Sequence, residues 1–250
     1  MHTRPTDIVT WLGNTVSAAG AEGLVVPLDG RIGSALTARL CQMAMEEKVV
    51  AVLAADGPLA AAAHDAQIVA ETLQLRLLRL PLELACNRLT AALGGTMAGS
   101  GAPAVTADRE WTRTAGLRQR VLMAAVYFVA DSLNYLVAGS LDRTDLTIGT
   151  FTRHGDAAVD LLPLGQLLKS DVLAMAGELQ VPRTVIERAQ VESLSIPDAS
   201  YASTGLTNAD LERYLADGPD GVAPAVALRI ERLMRASERR GAAPLTMVPE

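Results

Sequence analysis

The feature that most limits the fold of this chain is Val49–Ala54, an uninterrupted apolar run of strand length. Such a run is typical of a strand that helices cover on both faces of a parallel sheet. Further apolar runs at 24–28, 75–80 and 136–138 alternate with stretches of helical periodicity. This alternation predicts an α/β fold, a doubly wound parallel sheet with helices on both faces.

The spacing of apolar residues predicts helices over 5–20, 33–46, 59–73, 81–98, 113–134, 167–179, 181–189, 208–215 and 224–240. The glycine-rich stretch 94–105 predicts a flexible loop, a candidate lid. Residues 146–152 stay ambiguous, and 190–205 are expected to be irregular. We expect one domain over residues 1–250, with a helical C-terminal part at about 206–240.

Composition narrows the function classes. The net charge of −6 argues against a nucleic-acid partner reached through a general basic field. No apolar stretch is long enough to span a bilayer, so we expect no membrane partner. Cys41 and Cys86 lie in apolar segments without metal-like spacing, and the chain starts without an apolar signal segment. Buried reduced thiols and a cytoplasmic location are therefore expected.

A strand, a tight loop and a helix N-terminus are predicted between residues 23 and 36. The first backbone N–H groups of a helix lack internal partners, and the helix dipole favours a phosphate there. The loop contains Gly30, Arg31 and Ser34, but it matches neither common glycine-rich phosphate pattern. An ordinary strand-to-helix turn is the alternative interpretation.

A second loop, 139–145, follows the strand at 136–138 and is expected beside the first. Its hydroxyls (Ser140, Thr144) and carboxylates (Asp142, Asp145) suit phosphate and Mg²⁺. Capping of the next helix is the alternative role for these side chains. Arg118 and Lys169 are further candidates for phosphate contacts, with exposed surface positions as the alternative.

Residues 149–172, GTFTRHGDAAVDLLPLGQLLKSDV, closely resemble a pattern of the ammonia-dependent NAD synthetases. That pattern is Gly-x-Phe-Thr-Lys-x-Gly-Asp-Gly-x-x-Asp-x-x-Pro-(Ile/Leu)-x-x-Leu-x-Lys-x-x-Val. The similarity spans most of residues 8–215. It implies an adenine-nucleotide α-hydrolase-like (Rossmann-like) fold, usually in a homodimer. It also implies use of ATP and Mg²⁺ to adenylate a carboxylate, deamido-NAD or an altered substrate, before ammonia attacks.

The resemblance implies roles for individual residues. Lys169 and Asp145 would be catalytic, and Asp145 would also hold the metal. The ATP-binding set would be Gly30, Arg31, Ser34, Arg118, Ser140 and Thr144. The substrate-binding set would be Phe151, Thr152, Arg153, Asp156 and Asp160.

The phosphate loop departs from the family pattern. The family has Ser-Gly-Gly-x-Asp-Ser, whereas this chain has Asp29, Gly30, Arg31, Ile32, Gly33 and Ser34. Only Gly30 and Ser34 match, and a carboxylate replaces the first hydroxyl. The pattern therefore leaves two functions open. One is an ATP-dependent amide-forming ligase. The other is a catalytically inactive homologue that acts as a nucleotide-binding sensor or as a partner subunit in an oligomer.

Overall fold

A four-stranded sheet forms the centre of the molecule in a computed structural model that describes residues 3–57, 60–101, 106–191 and 206–241. The strands are β1 (Gly23–Pro27), β2 (Val49–Ala54), β3 (Arg76–Leu80) and β4 (Tyr135–Val137). They lie in the order β3-β2-β1-β4, and every adjacent pair is parallel. The predicted parallel sheet is therefore confirmed.

Helices pack on both faces of this sheet, because successive strand side chains point to opposite sides. The helices are α1 (Pro5–Ala18), α2 (Ile32–Met45), α3 (Ala60–Thr72), α4 (Glu83–Gly99), α5 (Ala107–Leu133), α6 (Arg143–Ile148), α7 (Lys169–Glu178), α8 (Arg183–Val191), α9 (Asn208–Asp217) and α10 (Pro224–Gly241). Leu24 and Val26 face a core that includes helices α1, α2, α3, α7 and α8, whereas Val25 and Val50 face helix α5.

The described helices differ from the sequence predictions in three places. The predicted loop at 94–105 is wrong at its start, because α4 continues to Gly99. Helix α5 begins at Ala107, six residues before the predicted start at 113. The ambiguous stretch at 146–152 begins inside α6, a short helix that follows β4. Residues 102–105 and most of the predicted irregular stretch 190–205 lie outside the described residues.

A smaller core forms where α9 and α10 pack against α6. Ile148 from α6, Leu211 from α9 and Ile230 from α10 are buried together. The hydroxyl of Ser237 in α10 donates to the carbonyl oxygen of Leu146 at 2.7 Å, which ties α10 to α6. Within the described parts of the chain, no helix is long and apolar enough to cross a bilayer.

Candidate functional site

The chain reverses its direction of winding between β1 and β4. From β1 it proceeds outward to β2 and β3, and it then returns to place β4 on the other side of β1. Parallel α/β sheets bind ligands in the crevice that forms at such a switch point, beyond the carboxyl ends of the strands. The loops that follow β1 and β4 therefore bound the first place to look for a site.

These two loops touch, as the sequence predicts. Gly33, in the first turn of α2, lies against Ser140 in the loop after β4. A Cβ atom at Gly33 would lie only 2.9 Å from the carbonyl oxygen of Ser140, which is closer than side-chain carbons approach a backbone oxygen. The absence of a side chain at position 33 thus permits the close contact.

The N-terminus of α2 carries an internal carboxylate. The side chain of Arg31, the residue before the helix, makes no capping hydrogen bond. Instead, the Oδ1 atom of Asp29 accepts the hydroxyl proton of Ser34 at 2.6 Å and the backbone N–H of Arg31 at 3.0 Å. The side chain of Arg31 points to solvent and is 62% exposed.

The N-terminus of α6 carries a pair of carboxylates. The Oδ1 of Asp142 accepts the backbone N–H of Asp145 at 3.0 Å, and the Oδ2 of Asp145 accepts the backbone N–H of Asp142 at 3.2 Å. This reciprocal arrangement is a capping box. The hydroxyl of Thr150 also donates to Oδ1 of Asp145 at 2.8 Å. The helix cap thus holds both carboxylates at fixed positions.

Lys169 joins these carboxylates from the first position of α7. Its ammonium group forms an ion pair with Asp142 and lies 3.5 Å from Oδ2 of Asp145. Burial of Asp142 and the nearby charge of Asp145 raise the pKa of Asp142 to about 6, although Lys169 opposes this effect. Burial alone would lower the pKa of Lys169, but the two carboxylates outweigh it and the pKa is raised. The lysine therefore stays charged at neutral pH.

The hydroxyl of Thr144 lies in the same cap. It is fully buried and has no hydrogen-bond partner among the residues that the structure describes. A buried hydroxyl without a partner is costly, and it marks a position where a ligand or a water would be stabilised. Among the described residues, no group of three or more His, Cys, Asp or Glu side chains is arranged to hold a metal ion.

The segment 151–160 lines the next part of the crevice. The backbone N–H of Thr152 donates to Oδ1 of Asp156 at 2.7 Å. Burial raises the pKa of Asp156 to about 6, and the charges of Asp145 and Asp29 add to this effect. Asp145 and Asp29 thus lie near enough to Asp156 for their charges to act on it. Arg153 is tied to α5, since its carbonyl oxygen accepts from Nε of Arg120 at 3.2 Å.

Three of the predicted site residues make their contacts away from Lys169 and its two carboxylates. Arg118 on α5 pairs with Glu83 of α4 at 2.9 Å and lines a small pocket near the end of β2. Asp160 accepts the backbone N–H of Val137 at 2.8 Å and so closes the edge of β4. Phe151 is buried beside the end of α10.

From the sequence, Asp142 was a candidate carboxylate with helix capping as the alternative, and the structure shows this cap, whereas Asp29 had no assigned binding role. The role of Asp142 had a signal, because an aspartate three residues before a second acidic residue at a helix start is typical of a capping box. The role of Asp29 had none, because it depends on the path of the loop through Gly30, whose φ is +80°.

Known proteins resemble this chain both in sequence and in fold. The family model described as NAD synthase matches residues 5–232. The NH(3)-dependent NAD(+) synthetase of Carboxydothermus hydrogenoformans is 32% identical over 93% of this chain and 92% of that protein. Two solved structures share the fold. The NMN synthetase of Francisella tularensis has a TM-score of 0.79 at 24% identity, covering 97% of this chain and 96% of its own. The NH3-dependent NAD synthetase of Campylobacter jejuni has a TM-score of 0.74 at 22% identity, covering 98% of this chain and 97% of its own.

Proposed function

The chain belongs to the NAD synthase family, and on that basis we propose that it is an ATP-dependent ligase that forms an amide from a nucleotide carboxylate and ammonia. A carboxylate is a poor acyl donor. Its oxygen would take the adenylyl group of ATP with release of pyrophosphate, and ammonia would then displace AMP from the acyl carbon. The work of such an enzyme is mainly positioning and neutralising charge.

The observation that carries this proposal is the meeting of Lys169 with Asp145 at the switch point of the sheet. The two residues come from the first turns of different helices, and Lys169 matches the family pattern of residues 149–172. A charged lysine beside a carboxylate provides the two groups that phosphate chemistry needs: a cation for phosphate oxygens and an oxygen ligand for Mg²⁺. We propose these roles for Lys169 and Asp145 respectively.

The nucleotide phosphates would lie between the loops after β1 and β4. The unpartnered hydroxyl of Thr144 fits a phosphate oxygen there, and Ser140 borders the same space. On the other side, Gly30, Arg31 and Ser34 would offer backbone and hydroxyl donors, but Asp29 occupies two of them. Arg118 would contribute from α5, one strand further along the edge.

The acyl substrate would lie along the segment 151–160. The charges of Asp145 and Asp29 act on Asp156, which supports a position for Asp156 between nucleotide and acyl group. Thr152, whose N–H bonds to Asp156, and Arg153 would contact the acyl substrate as well. Phe151 packs beside the end of α10 and Asp160 bonds to β4, and these two contacts would hold the segment in place. The family match favours the ligase over the inactive homologue.

The proposal includes a homodimer and a cytoplasmic location. Large apolar side chains are exposed on α4 and α5, which supports a covering by a second copy of the chain; they are Leu84, Leu89, Leu93, Met97, Trp111 and Phe128. Helix α4 has only one buried residue, Cys86. Both cysteines are free and buried, and free thiols agree with a reducing compartment such as the cytoplasm.

The test is an assay for amide formation. The protein is incubated with ATP, Mg²⁺, ammonium and either deamido-NAD or nicotinate mononucleotide, and AMP and amide are quantified. The second substrate is included because the Francisella protein is an NMN synthetase. We expect AMP and amide with one of the two substrates, and loss of both products in Lys169→Met. Absence of AMP with every substrate would favour the inactive homologue.

A further inference from the structure

In the loop after β1, the carboxylate of Asp29 accepts hydrogen bonds from donors that a bound phosphate would use. The first backbone N–H groups of a helix and any nearby hydroxyl are the donors that a phosphate uses. At the start of α2, the hydroxyl of Ser34 and the backbone N–H of Arg31 both donate to Oδ1 of Asp29. A phosphate that binds there must compete for the same two donors.

The charge of Asp29 adds to this competition. The charge of its carboxylate acts on Asp156, as the charge of Asp145 does, so other negative groups lie within electrostatic range of the loop. The guanidinium of Arg31 offsets the charge of Asp29 only weakly. Its Nε lies 3.9 Å from Oδ2 of Asp29, and the arginine is largely exposed. A nucleotide phosphate would therefore meet both occupied donors and a repulsive charge.

The position of Asp29 allows it to leave. Its side chain is 49% exposed, and its carboxylate makes contacts within one short loop. Gly30 has a φ of +80° and supplies the turn that brings Asp29 back toward Ser34. Rotation of the aspartate side chain into solvent would free the N–H of Arg31 and would leave the carbonyl oxygen of Arg31, 3.0 Å away, as the weaker acceptor for the hydroxyl of Ser34. The buried strand β1 would not be disturbed.

We propose that Asp29 closes the phosphate loop in the ligand-free chain and sets the affinity for the nucleotide, because it must leave the loop before a phosphate can bind. The proposal rests on the proposed function in one respect, namely that the phosphate is that of ATP. It makes Asp29 a residue that determines affinity at this site rather than a catalytic residue.

The experiment measures binding of Mg·ATP, and separately of inorganic pyrophosphate, to wild type, Asp29→Ser and Asp29→Asn by isothermal titration. The serine restores the hydroxyl of the family pattern, and the asparagine removes the charge but keeps an oxygen that accepts the same hydrogen bonds. We expect Asp29→Ser to bind both probes about tenfold more tightly. The substitution removes one like charge, and it removes the carboxylate that occupies two donors. Asp29→Asn should gain less, about threefold, because only the charge is lost.

Glu47→Gln is the matched control. It removes one negative charge from an exposed position beyond the other end of α2, and its affinity should equal that of wild type. Thermal unfolding of each variant verifies that the fold is kept. Equal or weaker binding in both Asp29 variants, or no binding in any variant, would overturn the proposal.

Failure of this proposal is distinguishable from failure of the proposed function. If wild type makes AMP and amide while Asp29→Ser gains no affinity, only the role of Asp29 is wrong. If Asp29→Ser binds Mg·ATP more tightly while no variant forms an amide, the role of Asp29 stands and the ligase activity is wrong.

Discussion

The Nζ atom of Lys169 lies 3.5 Å from Oδ2 of Asp145, although 24 residues separate the two along the chain. Asp142, which is 1% exposed, lies in contact with the same ammonium group. The N-terminus of α6 fixes the carboxylates and the N-terminus of α7 fixes the lysine. Two short helices thus position the charged centre of the site.

The ion pair between Lys169 and Asp142 predicts a stability effect. Lys169→Met should lower the free energy of unfolding by about 2–3 kcal/mol at neutral pH, because it leaves Asp142 buried without its cation. Adding Asp142→Asn should restore all but about 1 kcal/mol, since the amide oxygen can still cap α6 and carries no charge. Urea unfolding of the single and double variants measures this. A double variant as unstable as Lys169→Met would contradict the ion-pair explanation.

Asp156 predicts a pH dependence. The fold raises the pKa of Asp156 from 3.8 to about 6, so its protonated form is favoured in the folded state. The resulting stability is fully present below about pH 4 and is lost as pH rises through about 6. Asp156→Asn does not titrate. The fall in unfolding free energy between about pH 4 and pH 7.5 should therefore be smaller in the variant, by about 2 kcal/mol. Denaturant unfolding across this range is the measurement, and identical pH profiles would show that the explanation is wrong.

The close approach of the two loops predicts that Gly33 tolerates no side chain. Gly33→Ala should lower the unfolding free energy by about 1–3 kcal/mol, because the new Cβ atom would press on the carbonyl oxygen of Ser140. Gly177→Ala in α7 is the control. Apart from the backbone of its own helix, no atom of the described residues lies within 4 Å of the new Cβ, so this variant should be neutral or slightly more stable. Thermal melts compare the two, and equal effects would argue against the contact.

The exposed apolar surface of α4 and α5 predicts a dimer that one substitution can dissociate. Phe128 is 76% exposed, and Phe128→Glu should shift the protein to a monomer because a charge would be buried between the copies. Leu228→Glu on α10, where Leu228 is 65% exposed, should leave the dimer intact. Light scattering coupled to size exclusion gives the mass, and a monomeric wild type would rule out the dimer.

The sheet was predictable from the sequence because its central strands, β1 and β2, are apolar on both faces. The run Val49–Ala54 admits few other interpretations, and all of its residues are buried. The extent of α4 was not predictable in this way. Gly94 and Gly95 each disfavour a helix by about 1 kcal/mol, yet alanine, leucine and methionine neighbours continue it to Gly99.

The site was predictable only in part. The resemblance of residues 149–172 assigned Lys169, and the loop after β4 supplied Asp142 and Asp145, but neither indicated that the lysine would form its ion pair with Asp142. The closure of the phosphate loop by Asp29 depends on a backbone turn and a side-chain torsion. Apolar periodicity carries no information about either.

The most direct test of the account follows nitrogen from ammonium into the product. The protein is supplied with ¹⁵N-ammonium, ATP, Mg²⁺ and a nicotinate nucleotide, and the product is analysed by mass spectrometry alongside AMP. We predict one ¹⁵N in the carboxamide for each AMP formed, and neither product without ATP. AMP without labelled amide, or no AMP at all, would contradict the assignment of this chain as an amide-forming ligase.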